Sequence, residues 1–201
     1  IGGSKISSKI SVIISLIEKI NYMIIVGAMA NNFFVYKNFS VGKSLVEKNK
    51  EEIIKQIYEK AEKNNCEIVI PEDCVVSTSF DGEGKNKMLK QIEENEIILD
   101  VGKNSLKNIK KIVNHSNTLL WNGPAGYFEN KNFLNGTMSI AETISENTSK
   151  KTLISVIGGG DTLAAINKSR NKLYFSHLST AGGAFLEYLE GKDLPGITVL
   201  K

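Results

Sequence analysis

The chain has 201 residues, of which 41% are hydrophobic and 23% are charged, and its formal net charge is +3. This composition is typical of a globular domain with a sizeable core. The weak positive charge does not indicate a nucleic-acid-binding protein, which concentrates basic residues in one patch. No apolar run approaches the roughly 20 residues of a membrane span, and two cysteines are too few for a disulfide framework. We therefore expect one cytoplasmic domain over residues 1–201, with no nucleic-acid or membrane partner.

Short apolar runs of strand length alternate with segments of helical periodicity. The predicted strands are Tyr22–Val26, Glu67–Ile70, Ile97–Val101, Thr118–Trp121, Leu153–Ile157 and Leu173–Phe175. The segments with one apolar helical face lie at 10–17, 53–57 and 106–113. Strands without polar alternation are usually buried on both faces, which is typical of a parallel sheet covered by helices. The sequence predicts an α/β fold with a parallel sheet of about six strands and helices on both faces.

Glycines lie where several predicted strands lead into the next segment. They are Gly2, Gly3, Gly27, Gly102, Gly123 and Gly158–Gly160. The first two belong to this pattern only if a strand precedes Ile1. In a parallel sheet these points share the edge at the carboxyl ends of the strands, where open α/β folds bind ligands.

The three consecutive glycines Gly158–Gly160 are the strongest local signal in the chain. They allow backbone N–H groups to face an anion, and a following helix adds unpaired N–H groups and the positive end of its dipole. This favours a phosphate site. Asp161 would repel a phosphate unless a cation such as Mg²⁺ lay between them, so it indicates a metal–nucleotide. Helix capping by Asp161 explains the same residue equally well.

Three further features are candidate parts of a site, and the first two of them have two interpretations each. Lys5 and Lys9 point the same way if a helix begins that early; otherwise they are two solvated lysines. Glu129 follows a Gly-Pro loop and is either an acceptor for a ribose or a surface charge. Gly182 and Gly183 open a predicted helix and form a second candidate anion site. No complete P-loop and no G-x-G-x-x-G fingerprint is present, which disfavours P-loop and nicotinamide enzymes.

Four motifs, in order along the whole chain, resemble the C-terminal, nucleotide-binding half of phosphoglycerate kinase. They are GGSKISSKI, WNGPAGYFE, VIGGGDTLAA and SHLSTAGGAFLEYLEGKDLPG. The resemblance implies a Rossmann-like αβα domain of a monomeric enzyme that binds Mg²⁺ with ADP or ATP. It also implies that 1,3-bisphosphoglycerate or 3-phosphoglycerate is bound only together with an N-terminal domain, so the isolated chain binds nucleotide without turnover. A stand-alone nucleotide-binding module without a catalytic role is the alternative.

The resemblance assigns roles to matching positions. Lys9 would approach the transferring phosphoryl group with Lys5 nearby, and Asp161 would contact the metal. The implied catalytic residues are Lys5, Lys9, Gly160, Gly182 and Gly183. The implied nucleotide-binding residues are Gly3, Ser4, Lys5, Lys9, Leu45, Leu99, Asn122, Pro124, Gly126, Glu129 (on the ribose), Gly158, Gly159, Gly160, Asp161 and Thr162.

The departures from the family pattern lie mostly around the adenine. Ala28, Asn31 and Ile98 stand where the family usually has other residues, and Lys103 replaces a proline. Ala181 replaces one glycine of the run before the last predicted helix. We therefore expect the affinity for the base to be weakened or altered, while the phosphate side keeps the family pattern.

Overall fold

The computed structural model describes residues 1–200, and its elements are numbered here in chain order. The strands are β1 (Tyr22–Ile24), β2 (Glu67–Val69), β3 (Asp73–Ser77), β4 (Lys85–Met88), β5 (Ile97–Val101), β6 (Thr118–Asn122), β7 (Ile154–Gly158) and β8 (His177–Ser179). The helices are α1 (Ile10–Ile17), α2 (Ala30–Tyr36), α3 (Glu51–Lys63), α4 (Lys103–His115), α5 (Asn135–Ser149), α6 (Gly160–Ile166), α7 (Gly183–Leu189) and α8 (Pro195–Thr198). Short 3-10 turns occupy Ile6–Ser8, Leu89–Gln91 and Lys131–Phe133.

Two parallel sheets form the centre of the fold. One pairs β1 with β2, and the other has the order β6-β7-β8. The first residues of the chain lie between them: the Ile1 nitrogen donates to the Ile24 carbonyl at 2.7 Å, and the Gly2 nitrogen donates to the Asn122 carbonyl at 2.8 Å. The turns at Gly2, Gly123 and Gly158 therefore meet at one edge.

The predicted three-layer α/β class is confirmed, with helices packed around the sheets. One hydrophobic cluster includes residues of α1, α2 and α3, and a second includes residues of α4, α5 and α6. The three helices with a predicted apolar face, α1, α3 and α4, each bury residues of that face; on α4, for example, Leu106, Ile109 and Val113 are buried. The helices pack on the faces of the sheets and leave the edge that carries the glycine turns uncovered by these two clusters.

The prediction of about six parallel strands was wrong in number, because the two parallel sheets contain five strands together. Segment 97–101 is a strand, but it belongs to an antiparallel sheet with the order β4-β3-β5. This sheet was missed because its edge strand reads Lys-Asn-Lys-Met, which carries no run of apolar residues.

The predicted strand 173–175 was also wrong, since the last strand of the parallel sheet is β8. Leu173 and Phe175 do pack against the second hydrophobic cluster. The backbone nitrogen of Tyr174, however, donates to the Ser145 hydroxyl of α5 at 2.8 Å instead of to a neighbouring strand. The apolar residues of this segment therefore cover the core from an irregular loop.

A buried carboxylate joins the antiparallel sheet to α4. Asp73 is fully buried and accepts hydrogen bonds from the backbone nitrogens of Asn104 (3.0 Å) and Ser105 (2.8 Å), in the first turn of α4. It also accepts from the Ser105 hydroxyl at 2.6 Å and from the Asn86 amide at 2.9 Å. A residue on β3 thus satisfies the unpaired N–H groups at the start of a distant helix.

Candidate functional site

A cavity of about 510 Å³ opens where the parallel sheets meet the antiparallel sheet. Its walls include Gly27 after β1, Leu99 on β5 and Phe128 in the loop after β6. Eight of the predicted nucleotide-binding residues line it: Gly3, Ser4, Leu45, Leu99, Pro124, Gly126, Glu129 and Asp161. These residues come from five segments of the chain, and the fold brings them to one place.

Three more of the predicted residues meet beside this cavity through hydrogen bonds. The Lys9 ammonium donates to the Asn122 side-chain oxygen, and the Gly123 nitrogen donates to the Thr162 hydroxyl at 2.7 Å. Burial lowers the pKa of Lys9, and the Asp161 carboxylate opposes that shift. The buried side-chain nitrogen of Asn122 has no hydrogen-bond partner among residues 1–200. A cation and an unsatisfied donor therefore face the same corner.

The triple glycine forms the predicted turn from strand to helix. β7 ends at Gly158, Gly159 has a φ of +96°, and α6 begins at Gly160. Leu163 is the first residue of α6 whose nitrogen bonds back into the turn, to the Gly159 carbonyl at 3.0 Å. A side chain at Gly160 would meet nothing within 4 Å, so the backbone is open there. The turn thus presents unpaired N–H groups to the space beside Asp161.

The alternative that Asp161 caps α6 was wrong. Gly159 holds the N-cap position, no side chain makes a cap hydrogen bond there, and Asp161 lies inside the first turn. Within residues 1–200 its carboxylate has neither a hydrogen bond nor an ion pair, although it lines the cavity. A free carboxylate beside a turn with open N–H groups suits Mg²⁺ that is held partly by phosphate oxygens.

Lys5 and Lys9 do not share a helical face, because α1 begins only at Ile10. They flank the 3-10 turn Ile6–Ser8. The Glu47 carboxylate holds this turn, accepting from the Ser7 nitrogen at 2.9 Å and from the Ser7 hydroxyl at 2.6 Å. Burial alone would raise the pKa of Glu47, but the hydrogen bonds from Ser7 outweigh it and the pKa is lowered.

Asn32 in turn fixes Glu47 from α2. Its amide nitrogen donates to the Glu47 carbonyl at 2.7 Å, and its oxygen accepts from the Glu47 nitrogen at 3.2 Å. No local sequence pattern indicates this connection, because Asn32 and Glu47 are 15 positions apart and Ser7 and Glu47 are 40 positions apart. The spacing of the two lysines is therefore set by tertiary contacts and not by helical geometry.

The residues that depart from the family pattern do not all line the cavity. Ala28 and Ile98 line the cavity, as expected for residues beside a base. Asn31 is fully buried outside the lining, and its amide donates to the Leu45 carbonyl at 3.0 Å. Asn31 thus shapes the cavity through the backbone at Leu45, which is itself half exposed.

Asp100 is a site residue that sequence reasoning missed. Its buried carboxylate accepts from the Val101 nitrogen at 2.8 Å and from the Gly136 nitrogen of α5 at 2.7 Å. A β-carbon at Gly126 or Gly136 would lie 2.3 or 2.1 Å from this carboxylate. Burial raises the pKa of Asp100 to about 7, against the effect of the two N–H donors. The residue joins the cavity wall at β5 to α5 and to the Gly126 loop.

The second candidate anion site lies apart from the cavity lining. Gly182 has a φ of +54° and Gly183 begins α7, and both are open to space. Phe185 of α7 packs against Gly158, where a β-carbon would be 2.5 Å from its ring. The start of α7 is therefore adjacent to the triple glycine through this ring.

No cluster of three or more His, Cys, Asp or Glu side chains among residues 1–200 is close enough to hold a metal ion. A metal ion at this edge would therefore take some of its ligands from the protein and the others from a bound molecule. In the same part of the chain, every helix is too short or too polar to span a lipid bilayer.

Comparison with known proteins relates the chain that forms this site to one protein family. Residues 1–192 match the family model described as phosphoglycerate kinase. The chain is 44% identical over 199 residues to the phosphoglycerate kinase of Wolbachia pipientis subsp. Culex pipiens (strain wPip), covering 98% of this chain and 50% of the relative. The chain spans about half the length of the curated relatives it matches.

Solved structures agree with this assignment. The phosphoglycerate kinase of Coxiella burnetii superposes with a TM-score of 0.92 and 39% identity, covering 100% of this chain and 51% of that one. The enzyme of Pyrococcus horikoshii OT3 superposes with a TM-score of 0.80 and 27% identity, covering 99% and 50%. The resemblance that the four motifs carry is confirmed.

Proposed function

Because this chain belongs to the phosphoglycerate kinase family, we propose that it is the half of such a kinase that binds Mg-ADP or Mg-ATP. One observation carries the proposal: at the edge of the cavity, the free carboxylate of Asp161, which lines it, lies near the half-buried cation of Lys9 and the open backbone at Gly160. Oxygen-rich phosphates and a cation between them and Asp161 would satisfy all three groups.

Each part of the cavity has a proposed role in binding. The unpaired N–H groups of the α6 turn and the Thr162 hydroxyl receive the phosphates, and Glu129 accepts from the ribose hydroxyls. Leu99, Leu45 and Ile98 provide an apolar surface for the base. Mg²⁺, when bound, would neutralise phosphate charge next to Asp161.

Lys9 is the proposed catalytic cation. Phosphoryl transfer depends on positioning and on neutralising the charge of the transferring oxygens, which a fixed ammonium supplies. The hydrogen bond to Asn122 aims Lys9 at the phosphate edge, and the Glu47–Ser7 contact fixes the turn before it. The transfer proposed for the whole kinase takes a phosphoryl group from 1,3-bisphosphoglycerate to ADP, giving 3-phosphoglycerate and ATP.

The proposal includes a division of labour between the two halves of the kinase. This chain binds the nucleotide as a cytoplasmic monomer, and a second domain is required to hold the glycerate substrate. The proposed consequence is that the isolated chain binds Mg-nucleotide without turnover.

Adding the N-terminal half of the Wolbachia relative in trans tests this division. We expect no ATP formation from 1,3-bisphosphoglycerate and ADP by the chain alone, and measurable ATP formation by the mixture. Lys9→Met should abolish the activity of the mixture, whereas Lys107→Met, on the exposed face of α4, should leave it unchanged. Activity of the chain alone would contradict the division of labour. Nucleotide binding without activity in the mixture would instead support a binding module.

A further inference from the structure

A lysine that follows α6 holds the loop that carries Glu129. The Lys168 ammonium donates to the Phe128 carbonyl at 2.9 Å and to the Glu129 carbonyl at 3.2 Å. It also lies 5.2 Å from the centre of the Phe128 ring, within the range of a cation–π contact. Three favourable contacts therefore converge on one ammonium from a segment 40 residues away.

The remaining anchors of this loop lie on either side of that point. The Tyr127 nitrogen donates to the Leu99 carbonyl at 2.7 Å, and the Asn130 amide donates to the Phe80 carbonyl at 2.8 Å. The carbonyls of Phe128 and Glu129 accept side-chain hydrogen bonds from Lys168 alone among residues 1–200. The direction of the backbone at Glu129 thus depends on Lys168.

The choice of acceptor matters for function. Lys168 bonds the backbone carbonyl of Glu129 and forms no ion pair with its carboxylate within residues 1–200. The oxygens of the exposed carboxylate stay available as acceptors, while the backbone that carries it is held by Lys168. This is the arrangement that a carboxylate needs if it is to accept from hydroxyl groups of a ligand.

We propose that Lys168 is a positioning residue that fixes Glu129 for the ribose hydroxyls of the bound nucleotide. The inference rests on the proposed function and extends it. Lys168 follows α6, whose first turn carries the phosphate-side residues Gly160–Thr162. The contact therefore couples the ribose loop to the phosphate turn. A solvated lysine without this role would leave the preference for a ribose unchanged on removal.

The test compares the binding of Mg-ADP with that of Mg-2′,3′-dideoxy-ADP by calorimetry. In the parent chain we expect ADP to bind about tenfold more tightly, because hydrogen bonds to a charged group are lost in the dideoxy compound. Lys168→Met should reduce this ratio to less than about threefold. Lys168→Arg keeps donors for both carbonyls and should retain most of the ratio. Lys107→Met removes an exposed charge elsewhere and should leave the ratio at the parent value.

The outcomes separate the inference from the proposed function. A ratio near the parent value in Lys168→Met would overturn the inference and leave the nucleotide site intact. A parent chain that binds both compounds equally would also overturn it, since no ribose contact would exist to be positioned. A parent chain that binds neither compound would overturn the proposed function and the inference together. If Lys168→Met does not fold by circular dichroism, Lys168→Gln replaces it with the same expected ratio.

Discussion

The edge of the cavity proposed for the phosphates (the phosphate edge) and the side proposed for the base (the base side) are built in different ways. The phosphate edge is made of parallel strands that end in glycine turns, where Gly123 and Gly159 both have positive φ. The base side rests on an antiparallel sheet in which the buried carboxylates of Asp73 and Asp100 hold helices in place. The phosphate edge depends on the backbone conformation and on the close approach of backbone segments to each other. The base side depends on hydrogen bonds to buried carboxylates.

The largest effect is expected where the backbone approach is closest. Gly123→Ala should lower the free energy of unfolding by about 3–5 kcal/mol, because a β-carbon adds strain at positive φ and overlaps neighbouring atoms. That β-carbon would lie 2.1 Å from the Gly2 carbonyl oxygen. Urea unfolding followed by the fluorescence of Trp121 measures the change. The matched control is Gly160→Ala, at an open position, which should stay within about 0.5 kcal/mol of the parent.

A smaller effect is expected from the base side. Asp73→Ala should cost about 2–3 kcal/mol, because it leaves the N–H groups in the first turn of α4 without their side-chain acceptor. The same urea experiment measures it, with Glu72→Ala as the control because that side chain is exposed. An equal stability of Asp73→Ala and Glu72→Ala would contradict the assigned role of the buried carboxylate.

The third expected change is one of pH dependence. The folded-state pKa of Asp100, about 7, lies above its unfolded value, so its stabilising contribution is present at low pH and lost as the pH rises through 7. Asp100→Asn removes this loss. The variant should therefore gain stability relative to the parent from about pH 4 to about pH 7, by up to about 1.4 kcal/mol per pH unit.

Unfolding free energies measured at several pH values check this prediction, with the exposed Asp81→Asn as the control. A difference between Asp100→Asn and the parent that stays constant over the range would contradict it. Asp73 sharpens the contrast, because burial raises its pKa but the hydrogen bonds from Ser105 and Asn86 outweigh burial and lower it. Its contribution is present above the unfolded pKa and is lost as the pH falls through the folded pKa.

The same contrast explains what the sequence could predict. The turn from β7 through Gly159 into α6 is formed by consecutive residues, so the fold class and this glycine turn were predictable. The antiparallel sheet was not, because β4 is polar and pairs along an exposed edge.

Contacts between distant segments set the remaining parts of the site. Asp100 meets Gly136 across 36 positions, and Lys168 meets Phe128 across 40. Lys5 and Lys9 would share a helical face only if the helix began that early, but Glu47 stabilises a 3-10 turn there and α1 begins at Ile10. No pattern of neighbouring residues predicts contacts between segments that lie so far apart in the sequence.

The most direct test of the account is calorimetric titration of this chain with ADP, with and without Mg²⁺, beside Asp161→Ala. Glu52→Ala is the matched control, because Glu52 lies in the first turn of α3 as Asp161 lies in the first turn of α6. The account predicts saturable binding that Mg²⁺ strengthens in the parent and in Glu52→Ala but not in Asp161→Ala. The absence of binding to the folded parent at millimolar ADP, or an equal effect of Mg²⁺ on all three proteins, would contradict it.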